Sequence, residues 1–235
     1  MAGGEKIAVM CSGAFRGACL ALLPEFERVS GWRVATAWGA SVGPSPNSIA
    51  SRLERGEPAD LLILAAPALD GLVAAGQAAA GSRVDLARTG IAMAVRAGAP
   101  RPALATVADL ERALLAARAI AISTSASGLY LRGLFRRLGI ADRIAARIRE
   151  AEGEPAGALV ARGEADLAFQ QTSELLPVPG IAVVGPLPEA VQETTVFAAG
   201  LAARARLPQA ARALIAHLRT PAAAAVIRAH GLEPC

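Results

Sequence analysis

The sequence predicts an α/β fold in which the strands of a doubly wound sheet alternate with helices, and three observations support this prediction. Short apolar runs typical of buried strands alternate, along 235 residues, with segments whose apolar residues recur at helical spacing. Several of these pairs are joined by a short polar loop, in the order strand, loop, helix that doubly wound sheets require. The chain is 54% hydrophobic and 3% aromatic, which is typical of a globular protein with an aliphatic core.

The central unit of this kind lies at residues 119–138. An apolar run ends in a serine-rich loop, and an amphipathic helix pattern follows. The apolar positions of this helix are Leu129, Leu131, Leu134, Phe135 and Leu138. We expect Ser127 to cap the helix, so that hydroxyls and unpaired backbone N–H groups lie at the positive end of the helix dipole, where small anions bind. An ordinary capped turn without a ligand explains the same pattern.

Two further units repeat this arrangement near the N-terminus. Residues 6–12 are predicted as a strand that leads through Gly13 into a helix over residues 14–29. The predicted apolar face of that helix is Phe15, Leu20, Leu23 and Phe26. A strand at residues 33–40 leads through a serine loop at residues 41–46 into a helix containing Ile49 and Leu53. Loops at the carboxyl ends of strands form the ligand-binding edge of open α/β sheets.

The remaining segments continue the alternation. Extended segments are predicted at residues 60–67, 84–98, 164–169, 178–188 and 194–203. Helices are predicted at residues 67–75, 110–117, 153–162, 208–219 and 221–230. Residues 170–174 are predicted as a polar loop. We expect Asp60 and Glu57 to support the strand and the turn before it rather than to contact a ligand.

Charge and residue spacing exclude several classes of function. The net charge is +4, but the arginines are scattered singly and aromatic residues are few, so the pattern does not predict nucleic-acid binding. The three cysteines have no metal-ligand spacing, and we expect Cys11 and Cys19 to be core residues. Both histidines lie near the C-terminus, which favours neither a metal site nor a Ser/His/Asp triad. No cofactor is expected.

Hydropathy predicts neither a membrane span nor a secretory signal. No run of 18 apolar residues occurs, and the first strand follows residues 1–5 without a signal-peptide pattern. We therefore expect a periplasmic location if a leader has been removed, and a cytoplasmic one otherwise.

Four segments together resemble a known family: residues 11–15, 38–76, 125–130 and 163–180. They are similar to the periplasmic molybdate-binding proteins and their relatives, the type II solute-binding proteins of ABC transporters. The most specific segment is IASRLERGEPADLLI at residues 49–63.

The resemblance implies a type II periplasmic binding protein fold with two lobes, each a doubly wound mixed sheet flanked by helices. Lobe I would comprise residues 1–90 and 193–235, lobe II would comprise residues 91–192, and two crossing strands would form the hinge. A small anion would be captured in the interlobe cleft for transport. The implied partner is a membrane permease, and the protein itself would be a monomer.

The resemblance also implies a set of ligand-binding residues. They are Ser12, Gly13, Ser41, Val42, Ser125, Ser127, Gly128, Gln170 and Gln171. Two positions depart from the family pattern. Gln171 lies near the place where molybdate binders have a tyrosine, and Arg16 adds a guanidinium that suits an organic carboxylate better than a compact oxyanion.

Two alternative functions remain open. Some relatives that lack the tyrosine are thought to be isomerases of unsaturated tricarboxylates, of the aconitate isomerase type. Such an enzyme needs a base near the substrate carbon, and Glu174, Cys11 and Glu193 are the candidates. Glu174 in the first turn of a helix also has a simpler explanation, because the helix dipole favours an acidic residue there. A third alternative is a cytoplasmic ligand sensor that acts through a partner protein.

Overall fold

The chain forms two compact units. The computed structural model describes residues 5–43 and 45–235, so residues 1–4 and Pro44 of the predicted serine loop lie outside the described residues. Unit 1 comprises the chain up to Arg88 together with Thr195–Cys235, and unit 2 comprises Thr89–Thr194. The assignment of the two units as ligand-binding lobes stays a prediction.

Unit 1 begins with three strands and three helices. They are β1 (Lys6–Ser12), α1 (Arg16–Ser30), β2 (Arg33–Gly39), α2 (Ile49–Glu54), β3 (Leu61–Ala65) and α3 (Ala66–Ala74). Strand β1 pairs in parallel with β2 on one side and with β3 on the other. These strands therefore end at the same edge of the sheet, as the two predicted strand–loop–helix units near the N-terminus require.

Strand β4 (Val84–Arg96) carries the chain into unit 2. The elements of unit 2 that follow are α4 (Val107–Ala116), β5 (Ile120–Ser123), α5 (Ala126–Arg137), α6 (Ala141–Ile144), β6 (Ile148–Ala151), α7 (Ala156–Ala161), β7 (Leu167–Gln171), α8 (Thr172–Leu175) and β8 (Ile181–Pro186). Strand β5 pairs in parallel with β6 and β7, whereas β4 pairs antiparallel with β7 and β8.

The chain returns to unit 1 through a second long strand. The last elements are β9 (Thr194–Leu201), α9 (Pro208–Leu218), α10 (Pro221–Ala229) and β10 (Glu233–Pro234). Strand β9 pairs antiparallel with β3, and β10 pairs antiparallel with β4 at Arg88 and Ala87. Each unit thus contains a mixed sheet.

Both faces of each sheet are covered by apolar side chains. In unit 1, Ile7 and Val9 of β1 pack in one core cluster, whereas Met10 packs in a second. In unit 2, Phe169 of β7 belongs to one cluster and its neighbour Ala168 to another. Strands buried on both faces are the property that distinguishes a doubly wound sheet, so this part of the predicted fold is confirmed.

The structure corrects the apolar faces of two predicted helices. Helix α1 begins at Arg16, after a 3₁₀ turn at Gly13–Phe15, and its side chain at Leu20 is 53% exposed. Leu129 at the start of α5 is 52% exposed. The other predicted apolar positions of both helices are buried or pack against the core: Phe15, Leu23 and Phe26, and Leu131, Leu134, Phe135 and Leu138. Among the described residues, no helix combines the length and the apolar character needed to cross a bilayer.

Asp60 ties together distant segments of unit 1. Its buried carboxylate accepts backbone N–H bonds from Ala8 at 2.8 Å, from Arg206 at 2.7 Å and from Leu207 at 2.9 Å. The backbone N–H of Asp60 also donates to the Ala8 carbonyl at 2.7 Å. The expectation that Asp60 supports the strand is therefore confirmed. Glu57 has a similar supporting role, since it pairs with two arginines of the preceding helix and turn.

We predict that Asp60→Asn lowers the free energy of unfolding by about 2 to 4 kcal/mol, because an amide offers one oxygen where two accept hydrogen bonds, and places an N–H group against an N–H donor. The control is Asp70→Asn, which changes an exposed carboxylate paired with Arg83 and should cost less than about 1 kcal/mol. Urea denaturation of both variants is the measurement. Equal losses in the two variants would contradict the role given to Asp60.

Gly128 is required by a close backbone approach in unit 2. A Cβ at this position of α5 would overlap the carbonyl oxygen of Ser123, whereas a Cβ at Gly133 of the same helix would meet only the flexible end of Arg137 at 3.4 Å. We predict that Gly128→Ala destabilises the protein by more than about 2 kcal/mol, whereas Gly133→Ala is neutral or stabilises it by up to about 1 kcal/mol. Paired denaturation curves test this, and similar midpoints for the two variants would contradict it.

Candidate functional site

The first group of candidate residues lies at the carboxyl edge of the sheet of unit 1. Ser12 ends β1 opposite Gly39 of β2, and its side chain is 5% exposed. No described residue makes a hydrogen bond with the Ser12 hydroxyl. Ser41 follows β2, and its Oγ accepts the backbone N–H of Ala65 at 3.0 Å, where β3 ends. That bond leaves the proton of the Ser41 hydroxyl available for an acceptor.

Gly13, Val42 and Arg16 lie close to these serines. Gly13 begins the 3₁₀ turn after Ser12, and Val42 is half-buried directly after Ser41. The exposed guanidinium of Arg16 lies over the ring of Trp38, with Cζ 5.2 Å from the ring centroid. Because Trp38 is the residue before the end of β2, this cation–π contact holds the positive charge close to Ser12 and Ser41. No carboxylate of the described residues pairs with Arg16, so its charge is available.

Cys11 is not suited to the catalytic role considered for it. Its side chain is fully buried, and its Sγ lies 3.6 Å from the Sγ of Cys19 and 3.4 Å from the carbonyl oxygen of Ser12. Burial, together with the neighbouring Cys19, raises the pKa of the Cys11 thiol well above its ordinary value. The thiol is therefore protonated and inaccessible, as expected of a small core residue.

The second group lies at the carboxyl edge of the sheet of unit 2, around the start of α5. The structure corrects the predicted cap: Ser125, not Ser127, is the N-cap, and its side chain makes no capping hydrogen bond. Ser127 lies inside the first turn, buried, with its Oγ 3.0 Å from the Oγ of Ser123. The helix begins two residues earlier than predicted because Gly128 lets the turn pack against the end of β5.

Ser123 is a site residue that the predicted set omitted. Its Oγ accepts the backbone N–H of Ser125 at 3.3 Å in addition to its contact with Ser127. The three serines therefore form one connected group, in which Ser125 takes part through its backbone N–H, at the N-terminus of a 12-residue helix. The signal was a serine as the last residue of an apolar strand, which is an unusual place for a polar side chain unless it has a local partner.

Gln170 and Gln171 are the last two residues of β7 rather than members of a loop. Both are buried, because β7 runs on beyond the predicted end and its last residues are covered on the two faces of the sheet. The Oε1 of Gln170 accepts the backbone N–H of Ala156, the first residue of α7, at 2.7 Å. Since Ile122 of β5 lies opposite Phe169 of β7, the glutamines and Ser123 share one edge of the sheet.

Glu174 lies in α8, directly after this edge. Glu174 is partly buried, and desolvation raises its pKa to about 7, although a hydrogen bond with Gln170 acts in the opposite direction. A carboxyl group that titrates near neutrality can both accept and return a proton. Glu193, the third candidate base, is an exposed residue before β9, and this exposure gives no reason to favour it as the base.

The described residues contain no candidate metal site. Within residues 5–43 and 45–235, no group of three or more His, Cys, Asp or Glu side chains is placed to hold a metal ion. The candidate groups of unit 1 are the serine hydroxyls and the guanidinium of Arg16, and those of unit 2 are hydroxyl and amide donors and the Glu174 carboxyl of raised pKa.

Comparison with known proteins agrees with this architecture. Residues 7–233 match the family model described as bacterial extracellular solute-binding protein. The chain belongs to that family. This solute-binding protein is 43% identical, over 229 residues, to a protein named aconitate isomerase from a Pseudomonas species; the match covers 97% of the chain and 87% of the relative.

Solved structures share the fold at lower identity. The periplasmic molybdate-binding protein of Azotobacter vinelandii is 24% identical, with a TM-score of 0.78 over 97% of this chain and 98% of the other. The sulfate-binding protein SubI of Mycobacterium tuberculosis is 18% identical, with a TM-score of 0.78 over 98% and 87% of the two chains. The predicted type II periplasmic binding protein fold is thereby confirmed.

The raised pKa of Glu174 makes stability depend on pH. Between about pH 4.5, the ordinary value, and about pH 7, the folded protein keeps a proton on Glu174 that the unfolded chain has released. The free energy of unfolding should therefore fall as pH rises through this window. We predict that Glu174→Gln removes this fall and makes the protein more stable at pH 8 by on the order of 2 kcal/mol.

Denaturation curves at pH 5 and pH 8 measure this difference, with Glu189→Gln as a control at an exposed position. A pH dependence in Glu174→Gln that equals that of the parent protein would contradict the assignment.

Proposed function

We propose that this solute-binding protein binds an unsaturated tricarboxylate of the aconitate class and interconverts its isomers by moving one proton. The observation that carries the proposal is Glu174, a carboxyl group that titrates near pH 7 at the sheet edge shared with the serine group of unit 2. The relative named aconitate isomerase, 43% identical to this chain, supports the same choice of substrate.

The recognition groups suit a small organic anion. The hydroxyls of Ser12, Ser41 and Ser125 and the first N–H groups of α5 are neutral donors, which bind carboxylates without a counter-charge. The guanidinium of Arg16 supplies a positive charge that can pair with a carboxylate in bidentate fashion. A compact tetrahedral oxyanion needs no such cation, so Arg16 favours the organic acid.

The reaction moves a proton within an allylic system. Ionised Glu174 takes a proton from the methylene carbon, and the electron pair passes through the double bond toward a carboxylate. Glu174 then returns the proton to the former vinylic carbon, and the double bond is left between the central carbon and the former methylene. Atoms and electrons balance without a cofactor or an oxidant. Hydroxyl and amide donors stabilise the charge that develops on the carboxylate.

The second candidate is capture of an anionic solute without turnover. Membership in the solute-binding family favours it, and the molybdate- and sulfate-binding structures with this fold are of that kind. In that role the protein would act in the periplasm and deliver its ligand to a membrane permease. The same serine donors would hold the ligand, and Glu174 would be a partly buried helix residue with no chemical task.

Turnover separates the two candidates. We predict that the protein interconverts cis- and trans-aconitate in a proton NMR assay, and that Glu174→Gln lowers kcat by about 10² to 10⁴ with little change in KM. Glu189→Gln, at an exposed position of the same unit, should leave kcat unchanged. Binding of aconitate without turnover would favour solute capture, and full activity of Glu174→Gln would exclude Glu174 as the base.

The binding test uses serines whose removal does not disturb the fold. The hydroxyls of Ser12 and Ser125 make no hydrogen bond with described residues, whereas Ser41→Ala would orphan the N–H of Ala65, and Ser127→Ala would remove the partner of Ser123. Ser12→Ala and Ser125→Ala should each weaken aconitate binding by about 10- to 100-fold, as expected for a lost charge-assisted hydrogen bond. Unchanged affinity in both variants, by calorimetry, would place the site elsewhere.

A further inference from the structure

Unit 2 contains a cavity of about 660 Å³ that the proposed function does not use. Its lining includes the end of β4 at Arg96, the residues before β5 at Arg118, and the start of β7 at Leu167. The amino ends of β5 and β7 therefore face it, whereas the serine group and Glu174 follow the carboxyl ends of the same strands. The cavity and the serine group of unit 2 therefore lie at opposite edges of one sheet.

The cavity is open to solvent, and much of its lining is aliphatic. Ala113 and Ala116 of α4, Pro100 and Pro102 of the segment after β4, and Leu167 of β7 contribute apolar surface. Arginine and aspartate side chains complete the lining. A cavity of this volume with a largely aliphatic lining and a few polar groups has the size and surface of small-molecule sites in general.

The charged groups of the lining leave one cation without a carboxylate partner among the described residues. Arg118 donates to Asp166 through Nη2 at 2.7 Å and through its backbone N–H at 2.7 Å. Arg112 pairs with Asp109, whose carboxylate also accepts the backbone N–H of Thr106. Arg96 differs from both, since no carboxylate of the described residues pairs with it.

We propose that this cavity binds an amphipathic monocarboxylate, with its apolar chain against the alanine and proline walls and its carboxylate on the guanidinium of Arg96. One free cation matches one anionic group, and the carboxylates of Asp109 and Asp166 disfavour further negative charge. The ligand class thus differs from the polycarboxylate proposed for the serine donors. Burial of the aliphatic chain supplies the affinity, and Arg96 orients the acid.

Isothermal titration calorimetry with octanoate tests the site on the whole protein. We expect one molecule bound per chain and at least tenfold weaker binding to Arg96→Gln. The control is Arg101→Gln, which removes an exposed arginine of the same segment that does not line the cavity and should bind octanoate like the parent. Absence of binding to the parent protein, or equal affinity in Arg96→Gln, would overturn the proposal.

Two further measurements show where octanoate binds. Ala116→Phe fills the cavity from an exposed helix position and should abolish octanoate binding while the melting temperature stays near that of the parent. Saturating cis-aconitate should leave octanoate affinity unchanged. Displacement of octanoate by aconitate, or normal octanoate binding to Ala116→Phe, would put octanoate at another site and overturn the proposal. Neither result depends on whether the protein isomerises aconitate.

Discussion

The carboxylate of Asp60 is the constraint on which unit 1 depends. It is buried, and it satisfies three backbone N–H groups from two segments that are about 200 residues apart in sequence. Because the charge is spread over these donors, its burial does not require a cation. The contact joins the strand that begins the chain to the segment that leads into α9, so the C-terminal helices pack on the sheet that carries Ser12 and Ser41.

A comparable constraint operates in unit 2 through the absence of a side chain. Gly128 lets the first turn of α5 lie against the carbonyl of Ser123, and this approach joins the hydroxyls of Ser123 and Ser127 and the backbone N–H of Ser125 in one group. A larger residue would separate the helix from the end of β5 and disperse the donors. Backbone packing therefore builds this group of serines, and it also sets the positions of their hydroxyls. This arrangement suits anion recognition, because donors held by the backbone lose little freedom when a ligand binds.

The charged groups of the protein have different consequences according to their surroundings. The many arginine–carboxylate pairs, such as Arg162 with Glu154 and Glu164, lie at the surface, where water screens them and each contributes little to stability. Glu174 differs from these pairs, because it is desolvated and no described cation lies beside it. Such a carboxyl group is costly to keep and marks a place where a function is expected. Arg16 and Arg96 have no carboxylate partner among the described residues, a condition they share with other exposed arginines, and what suits them to a ligand is their position, over Trp38 and in the lining of the cavity.

The sequence alone determined the fold class and the order of the elements. The spacing of apolar residues identified the strands and helices because the same residues are buried in the structure, and the serine loops were located because the strand patterns before them end abruptly. The segment at residues 49–63 carried the family resemblance through residues that hold the fold, with Asp60 among them. Ser12, Ser41 and Ser125 could be placed at or just after strand ends from the pattern alone.

Only the tertiary structure decided which of these groups are free to act. Ser127 moved from the cap into the helix, Gln170 and Gln171 moved from a loop onto β7, and Ser123 joined the site, since each depends on how closely α5 and α7 approach the sheet. The raised pKa of Glu174 and the burial of Cys11 arise from neighbours distant in sequence. Desolvation is the sum of all surrounding atoms, and residue spacing along the chain does not contain that sum.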